Sequence, residues 1–255
     1  MRRNIAIIYA TSALMWGRFF LPVLALFYVA SQVSLEQFGF IMAAFALTTL
    51  VLEIPTGILA DLLGKKKTLI IARLCYVVEI AILAFMNGFW PFLIAKVISG
   101  IGVSMSSGTR SALLYDSLRR SFKEHRHQET KGRVEAVTHV SMGIAFITGA
   151  YLFTIDPKLP AITSLPFISL ALLLTFFLKE PYKPNKHLAF SNLGRHLRET
   201  LSYFGRHTYV RYLVFYGLPL TAAISILVSY SSAYYEHISI PIKYIGIIAF
   251  VVALV

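Results

Sequence analysis

The sequence is poor in charged residues and has a single cysteine. Asp, Glu, Lys and Arg make up 14% of the 255 residues, whereas a soluble domain carries about a quarter. The hydrophobic share is 57%, which argues against a soluble enzyme, a disordered protein and a coiled coil. Because Cys75 is the one cysteine, the chain can form no intrachain disulfide and no metal site built on several cysteines.

The motifs of common catalytic sites are also missing. The chain has no HExxH pair, no nucleophile elbow, no P-loop and no cluster of acidic residues suited to a metal. We therefore expect no enzymatic activity, no catalytic residue, no metal and no cofactor. The missing P-loop argues against ATP hydrolysis by this chain, although a separate ATPase subunit stays an alternative.

Long apolar runs dominate the sequence instead. A run of about 20 residues can cross the roughly 30 Å hydrocarbon core of a bilayer as an α-helix. The first run is too long for the core of a signal peptide and carries Arg18, so we interpret it as a retained span. The pattern predicts an all-α integral membrane protein with spans at 5–29, 38–60, 68–86, 89–109, 134–153, 161–178 and 209–230, and an eighth from Tyr244 onward.

Basic residues lie almost entirely on one side of these spans. Nineteen of the 24 lysines and arginines, Arg73 among them, precede span 1 or fall beside the connections after spans 2, 4 and 6. Only Lys158 and Lys243 lie on the other side. Cytoplasmic loops are enriched in Lys and Arg, which predicts a cytoplasmic N-terminus in a bacterial plasma membrane. The net charge of +12 then reflects topology and contact with the lipid bilayer, and no nucleic-acid binding is expected.

Span 7 repeats a feature of span 1. The stretch 20–23 (FLPV) aligns with 217–220 (GLPL), and the start of span 8 aligns in the same order with the start of span 2. Parallel six-span repeats are one known transporter plan. We therefore expect an N-terminal six-helix bundle at 1–178, a cytoplasmic linker with an amphipathic helix at 179–208, and the first spans of a second bundle at 209–255. On this register the chain ends in the middle of a span, which predicts that these residues are a fragment and do not transport alone.

The connection between spans 2 and 3 carries the most specific motif. It reads G-x-L-A-D-x-x-G followed by three lysines, from Gly57 through Asp61 and Gly64 to Lys65–Lys67. Gly64 permits a tight turn, and the lysines suit anionic headgroups. A simple topology-setting turn is the alternative. This loop resembles the signature loop of the major facilitator superfamily, and the six-span repeat fits that resemblance over the whole chain.

The resemblance implies roles for several residues. Asp61 would hold two helical bundles together on the cytoplasmic side, and Asp116, at the end of span 4, would face the signature loop and contact Lys65. The stretch Lys96–Gly102 is similar to a span 4 motif in which an arginine is linked to proton transfer in proton-coupled members. Span 5 lacks the Gly-Pro of the antiporter motif, which weakens multidrug efflux as an alternative.

Ionisable residues inside predicted spans are the candidate site. Arg18, Glu53, Glu79 and Lys96 would each cost several kcal/mol unless paired or hydrated. Their depths predict a Glu53–Arg110 pair and a separate group of Arg18, Lys96 and Glu79. Arg18 and Lys96 are substrate or coupling candidates with a structural ion pair as the alternative. Glu79 is also a candidate, but a structural or snorkelling role is favoured for it. A gating pair and a structural cap are even alternatives for Glu53.

The same resemblance sets the expected function. Spans 1, 4 and 7 line the cavity in that family, which places Arg18, Lys96 and Tyr216 there, and two cations favour an anionic small-molecule substrate. We expect a secondary active transporter that works by alternating access and is coupled to protons. A transporter-like receptor or structural membrane protein without net transport is the alternative.

Overall fold

The computed structural model describes residues 2–122, 124–182, 202, 205–206 and 208–253. The described residues form helices and connections, with no strand among them. The α-helices are α1 (Arg2–Met15), α2 (Leu24–Ala30), α3 (Leu35–Leu63), α4 (Lys65–Phe85), α5 (Phe89–Arg119), α6 (His127–Ile155), α7 (Leu159–Phe176), α8 (Thr208–His237) and α9 (Ile242–Ala253). Short 3₁₀ helices span Leu21–Val23 and Glu124–Arg126. The amphipathic helix predicted within 179–208 lies outside the described residues apart from isolated positions.

Six helices are long and apolar enough to cross a membrane. They lie within α3 to α8, with α8 counted from Phe215. The all-α membrane class is therefore confirmed. Helix α9 and the segment Leu21–Ala30 are apolar but shorter.

The first predicted span is not one helix. Helix α1 ends at Met15, the chain turns through Gly17 and Arg18, and helical structure resumes at Leu21. The amide of Phe19 donates to Ser164 Oγ of α7 at 2.9 Å, so a side chain replaces a helical carbonyl partner. Pro22, which has no amide hydrogen, follows immediately. Hydropathy alone predicted a continuous helix over 5–29, and it could not reveal a break that depends on a neighbouring helix.

The helices pack as a bundle with two distinct ends. Helix α4 packs against α5 and α7, α3 against α5, and α1 against α6 and α7. We call the end that holds Asn4, Lys65 and Asp116 the basic end, and the end that holds Ser34, Gly88 and Lys158 the opposite end. Two later helices join this bundle, because α8 contacts α2 and α9 contacts α6.

An aromatic cluster closes the opposite end between the first helices and α8. Tyr28 packs edge-on against Phe38 and Phe92, with ring centroids 5.0 and 4.9 Å away. The ring of Tyr230 on α8 lies 5.0 Å from that of Phe38, and its hydroxyl donates to Leu35 O at 3.0 Å. Tyr230 therefore joins α8 to α3 at this end of the bundle.

Both ends of α4 are capped by charged residues that flank α7. The carboxylate of Glu180 accepts the amides of Lys65 and Lys66 at 3.0 and 2.8 Å. At the other terminus Lys158 Nζ donates to Leu83 O at 2.9 Å and to Met86 O. Burial lowers the pKa of Lys158 to about 8, although nearby Asp156 opposes this shift. An acid at the N-terminus and a cation at the C-terminus both complement the helix dipole.

Candidate functional site

The signature loop is a tight connection between α3 and α4. Gly64 has φ of 91°, a conformation that glycine adopts without the penalty of a Cβ, and its amide donates to Ala60 O at 3.0 Å. Lys65 Nζ contacts Asp116 in an ion pair, which confirms the contact predicted for these two residues. Asp61 and Gly57 are exposed on α3, and the bundle-holding role of Asp61 stays a prediction.

Glu79 is the centre of a buried ion-pair cluster. Its side chain is fully buried, and Oε1 accepts from Lys96 Nζ at 2.8 Å. Its other oxygen, Oε2, lies 3.6 Å from a guanidinium nitrogen of Arg18. The predicted grouping of Arg18, Lys96 and Glu79 is confirmed. The predicted snorkelling role of Glu79 is wrong, because the face of α4 that carries Glu79 packs against α5 and not at the bundle surface.

Arg18 reaches this cluster because the chain is broken around it. The turn at 16–20 directs its side chain over the ring of Tyr76, with Cζ 4.4 Å from the ring centroid. A guanidinium over a tyrosine face is stabilised by the ring quadrupole. The pairing distance to Glu79 is long, and Arg18 Nε is buried with no hydrogen-bond partner among the described residues. Arg18 is therefore less tightly held than Lys96.

The predicted Glu53–Arg110 pair is wrong. Glu53 Oε1 instead accepts from Ser107 Oγ at 2.8 Å. Arg110 bonds to Glu135 Oε1 at 3.2 Å and to Ser12 Oγ at 3.3 Å. Ser107 and Arg110 lie about one turn apart on the same side of α5. Ser107 bonds to α3, and the longer side chain of Arg110 extends to α1 and α6. The sequence interpretation overlooked Glu135, which lies two turns into α6.

A cavity of about 250 Å³ opens beside the Glu79 cluster. Its wall comes from the broken first span, from α4 and from α5. The lining residues are Met15, Trp16, Arg18, Leu21, Arg73, Tyr76, Ser106, Ser107 and Arg110. Three of them are arginines and none is acidic, so the wall is cationic. Lys96 is 5% exposed and does not line this cavity. It is connected to the cavity wall through Glu79, which also contacts Arg18.

Arg73 is the residue that sequence reasoning missed. Because Arg73 stands only eight residues after Lys65, the charge count grouped it with the loop lysines. The structure buries it to 5% exposure on α4, with Cζ 5.9 Å from the ring centroid of Tyr76. A signal was available, because Arg73 and Tyr76 share one face of a helix at a spacing of three.

A second cavity of about 220 Å³ lies next to the first, nearer the basic end. It shares Ser107 and Arg110 with the first cavity, which we call the central cavity, and it adds Lys131 and Glu135 from α6. The Arg110–Glu135 ion pair therefore stands at the boundary between the two spaces. Its side chains are 33% and 38% exposed, so water reaches this pair more easily than it reaches Glu79.

Tyr216 lies on an exposed face of α8. Its side chain is 75% exposed, and its ring stacks on Tyr212 with centroids 6.3 Å apart. The structure does not bring it to the central cavity. A cavity role for Tyr216 stays a prediction. No group of three or more potential metal ligands (His, Cys, Asp or Glu) forms within the described part of the chain.

Comparisons with known proteins agree with this architecture. A solved D-xylose-proton symporter matches 98% of this chain and 65% of its own length, with a TM-score of 0.65 and 13% identity. The human organic anion transporter MFSD10 matches 99% of this chain and 70% of its own length, with a TM-score of 0.66 and 18% identity. At these identities the likeness shows the fold alone. The chain thus spans about two thirds of the length of either structure.

Sequence comparisons point the same way. An uncharacterised MFS-type transporter of Methanocaldococcus jannaschii is 27% identical over 103 residues, which are 40% of this chain and 27% of the relative. The family model of the major facilitator superfamily matches residues 5–255, nearly the whole sequence. The chain, with its bundle of membrane-crossing helices and its signature loop, therefore belongs to the major facilitator superfamily.

Proposed function

We propose that the protein is a secondary active transporter that moves a small anionic solute by alternating access. The observation that carries this proposal is the cationic cavity beside the buried Glu79. Arg18, Arg73 and Arg110 face a space of about 250 Å³ with no acidic residue in its wall. A mobile anion is the natural counter-charge for such a wall, because unpaired cations at membrane depth are costly.

Proton coupling is the second element of the proposal. Glu79 holds Lys96 by a hydrogen bond and Arg18 by a longer contact. If Glu79 takes up a proton, its hold on Arg18 weakens and Arg18 becomes free to bind an anion in the cavity. Proton binding would then change substrate affinity and bias the two access states. The D-xylose-proton symporter that shares the fold is one proton-coupled precedent.

The orientation follows from charge. The basic end carries Lys65, Lys66 and Lys67 together with Arg119 and Arg120, which supports a cytoplasmic location for that end by the positive-inside rule. A bacterial plasma membrane is the proposed location. Asp61 would close the cytoplasmic side against the second bundle, as the family resemblance implies. A receptor-like protein without net flux is the competing function.

The deciding experiment is uptake into proteoliposomes by the full-length protein. A panel of anionic, neutral and cationic solutes is tested with and without a pH gradient. We expect gradient-driven flux of an anion, and loss of that flux in Arg18→Ala and Lys96→Ala variants that still insert into the membrane. Arg119→Ala, which removes an exposed arginine of α5, is the control. Flux that is unchanged in both site variants would reject the coupling role, and no flux of any solute would favour the receptor alternative.

A further inference from the structure

We propose that Arg73 binds the acidic group of the substrate, and that the substrate is a small organic monoanion whose apolar part lies against Trp16. This inference rests on the proposed transport function and names the ligand class of the same cavity. It assigns the anion to a residue on α4, and not to the Arg18–Lys96 pair that the sequence singles out.

Arg73 is the cation beside the central cavity that has no carboxylate partner among the described residues. Lys96 and Arg18 share Glu79, and Arg110 holds Glu135. Arg73 makes no hydrogen bond or ion pair with any described residue, and its Nε is buried without a partner. It nevertheless borders the cavity. A buried guanidinium with free donors aimed at a cavity needs an acceptor there, and a carboxylate accepts two of its parallel N–H bonds.

The charge balance favours a single negative charge on the ligand. Four cations lie in and around the central cavity: Arg18, Arg73, Lys96 and Arg110. Two carboxylates pair with three of them, since Glu79 contacts Lys96 and Arg18 and Glu135 contacts Arg110. Arg73 is the one of these four cations with no carboxylate partner among the described residues, and a single acidic group on the ligand supplies that partner.

The cavity wall is divided between apolar and polar sides. Met15, Trp16 and Leu21, from the broken first span, supply an apolar side, and α4 and α5 supply Arg73, Ser106, Ser107 and Arg110. An inorganic anion would leave the apolar side against water. A carboxylate on a short hydrocarbon or aromatic body would use both sides, since apolar contact supplies affinity and the polar groups fix the orientation.

The fluorescence of Trp16 provides a direct measurement of ligand binding in the cavity. The 255 residues contain two tryptophans, and Trp90 is 70% exposed at the opposite end. In a full-length protein with Trp16 as its one tryptophan and Phe at other tryptophan positions, hexanoate should change Trp16 emission saturably. Hexanamide, its uncharged analogue, should not, and sulfate should bind at least tenfold more weakly than hexanoate.

Substitutions then identify the binding residue. Arg73→Met should weaken hexanoate binding at least tenfold, and Arg73→Lys should restore part of the affinity because it keeps the charge but loses the bidentate donors. Arg119→Met, which removes an exposed charge from α5, should leave affinity unchanged. Equal affinities in the parent and in Arg73→Met, or equal binding of hexanoate and hexanamide, would overturn the assignment.

A quenching measurement on the parent protein covers the case in which Arg73 variants fail to fold. The ratio of iodide to caesium quenching of Trp16 should be several-fold higher than the ratio for free N-acetyltryptophanamide, because a wall with three arginines concentrates anions and repels cations. A ratio no higher than that of the free compound would overturn the proposal.

The two proposals can fail separately. Solute flux with an unchanged KM in Arg73→Met would reject the Arg73 site and leave the transporter proposal intact. Hexanoate binding that depends on Arg73, without flux of any solute, would keep the binding site and reject transport.

Discussion

At the scale of single residues, the carboxylate of Glu79 has two contacts that suggest two roles, one structural and one in transport. It neutralises Lys96, which is nearly as buried as itself, and it also contacts Arg18 in the cavity wall. A purely structural pair would need only the first contact. The second contact reaches the wall of the central cavity, which is the reason to propose a role in transport for Glu79.

A double variant separates these two roles. Glu79→Gln leaves Lys96 buried without a counter-charge, and the free energy of unfolding in detergent should fall by about 3–5 kcal/mol. Adding Lys96→Met should recover much of this loss, because the remaining pair of side chains is uncharged. If Glu79 also couples protons, the stable double variant should still lack pH-gradient-driven flux. Recovery of that flux together with stability would assign Glu79 a structural role alone.

Arg110 offers a second test at this scale. If the transported anion contacts Arg110, Glu135 competes with it at the boundary between the two cavities. A partly exposed pair is worth about 0.5–1 kcal/mol, or about a twofold to fivefold change in an equilibrium. Glu135→Gln should therefore lower the KM for the transported anion by about that factor.

The control for this test lies on the same helix. Glu129 pairs with exposed Arg126 and Arg133, and it does not line either cavity. Glu129→Gln should leave the KM unchanged. A higher KM in Glu135→Gln would contradict competition between Glu135 and the anion.

Residue-level predictions succeeded where helix geometry decided them. Depth along the spans brought Arg18, Lys96 and Glu79 together, and the signature motif predicted the Lys65–Asp116 contact. Arg73 and Glu135 were missed because both stand near span ends, where a charge count assigns them to loops. The partner of Arg110 depends on how α5 is rotated relative to α3 and α6, which one sequence does not specify.

At the scale of helices, the break in the first span is fixed by close packing against α6. A Cβ built on Gly149 would overlap the carbonyl of Phe19, at the break itself. Ala145, one turn earlier, is also buried. Gly149 and Ala145 form a small-residue face on α6, and the sequence alone does not identify what packs on it. The break in turn positions Arg18, so a packing contact on α6 sets the geometry of the site.

Gly149→Ala should therefore destabilise the protein and disturb the site. Overpacking of this kind costs about 1–3 kcal/mol, because a backbone carbonyl has to move. Gly132→Ala on the same helix is the matched control, since a Cβ there meets nothing within 4 Å, and it should be neutral or stabilising by up to about 1 kcal/mol. Thermal unfolding in detergent measures both. Equal unfolding temperatures for the two variants would rule out the proposed contact.

Span positions were predictable from hydropathy, but helix boundaries were not. Helices α5 and α6 extend beyond the apolar runs at the basic end, to Arg119 and from His127. Their polar ends are held by side-chain contacts such as Lys65–Asp116. The caps of α4 by Glu180 and Lys158 come from residues more than 70 positions away in sequence, and no local pattern indicates them.

At the scale of the whole molecule, contacts between the repeat-related helices are concentrated at one end. Helix α2 meets α8 at the opposite end, where Ala25 N donates to Ser232 Oγ at 3.2 Å. Toward the basic end, Tyr212, Phe215 and Tyr216 of α8 are exposed. If the basic end is cytoplasmic, the structure has a packed external side and its central cavity approaches the cytoplasm through the second cavity.

The orientation itself is open to a direct measurement. The structure moves Arg73 from the loops into the bundle, yet the remaining basic residues still favour a cytoplasmic basic end by a wide margin. Lys67 on α4 and Pro157 before α7 are exposed at opposite ends. In a full-length protein with Cys75 replaced by Ala and any other cysteine removed, each position is changed to Cys in turn.

A membrane-impermeant maleimide added to intact cells should label Pro157→Cys and not Lys67→Cys, and permeabilised cells should label both. Labelling at 67 without permeabilisation would invert the topology. It would also invert the direction of access inferred for the central cavity, because the Arg110–Glu135 boundary would then face the outside. The anion-binding site itself would be unaffected, since it depends on the packing of α1, α4 and α5 and not on which side the bundle faces.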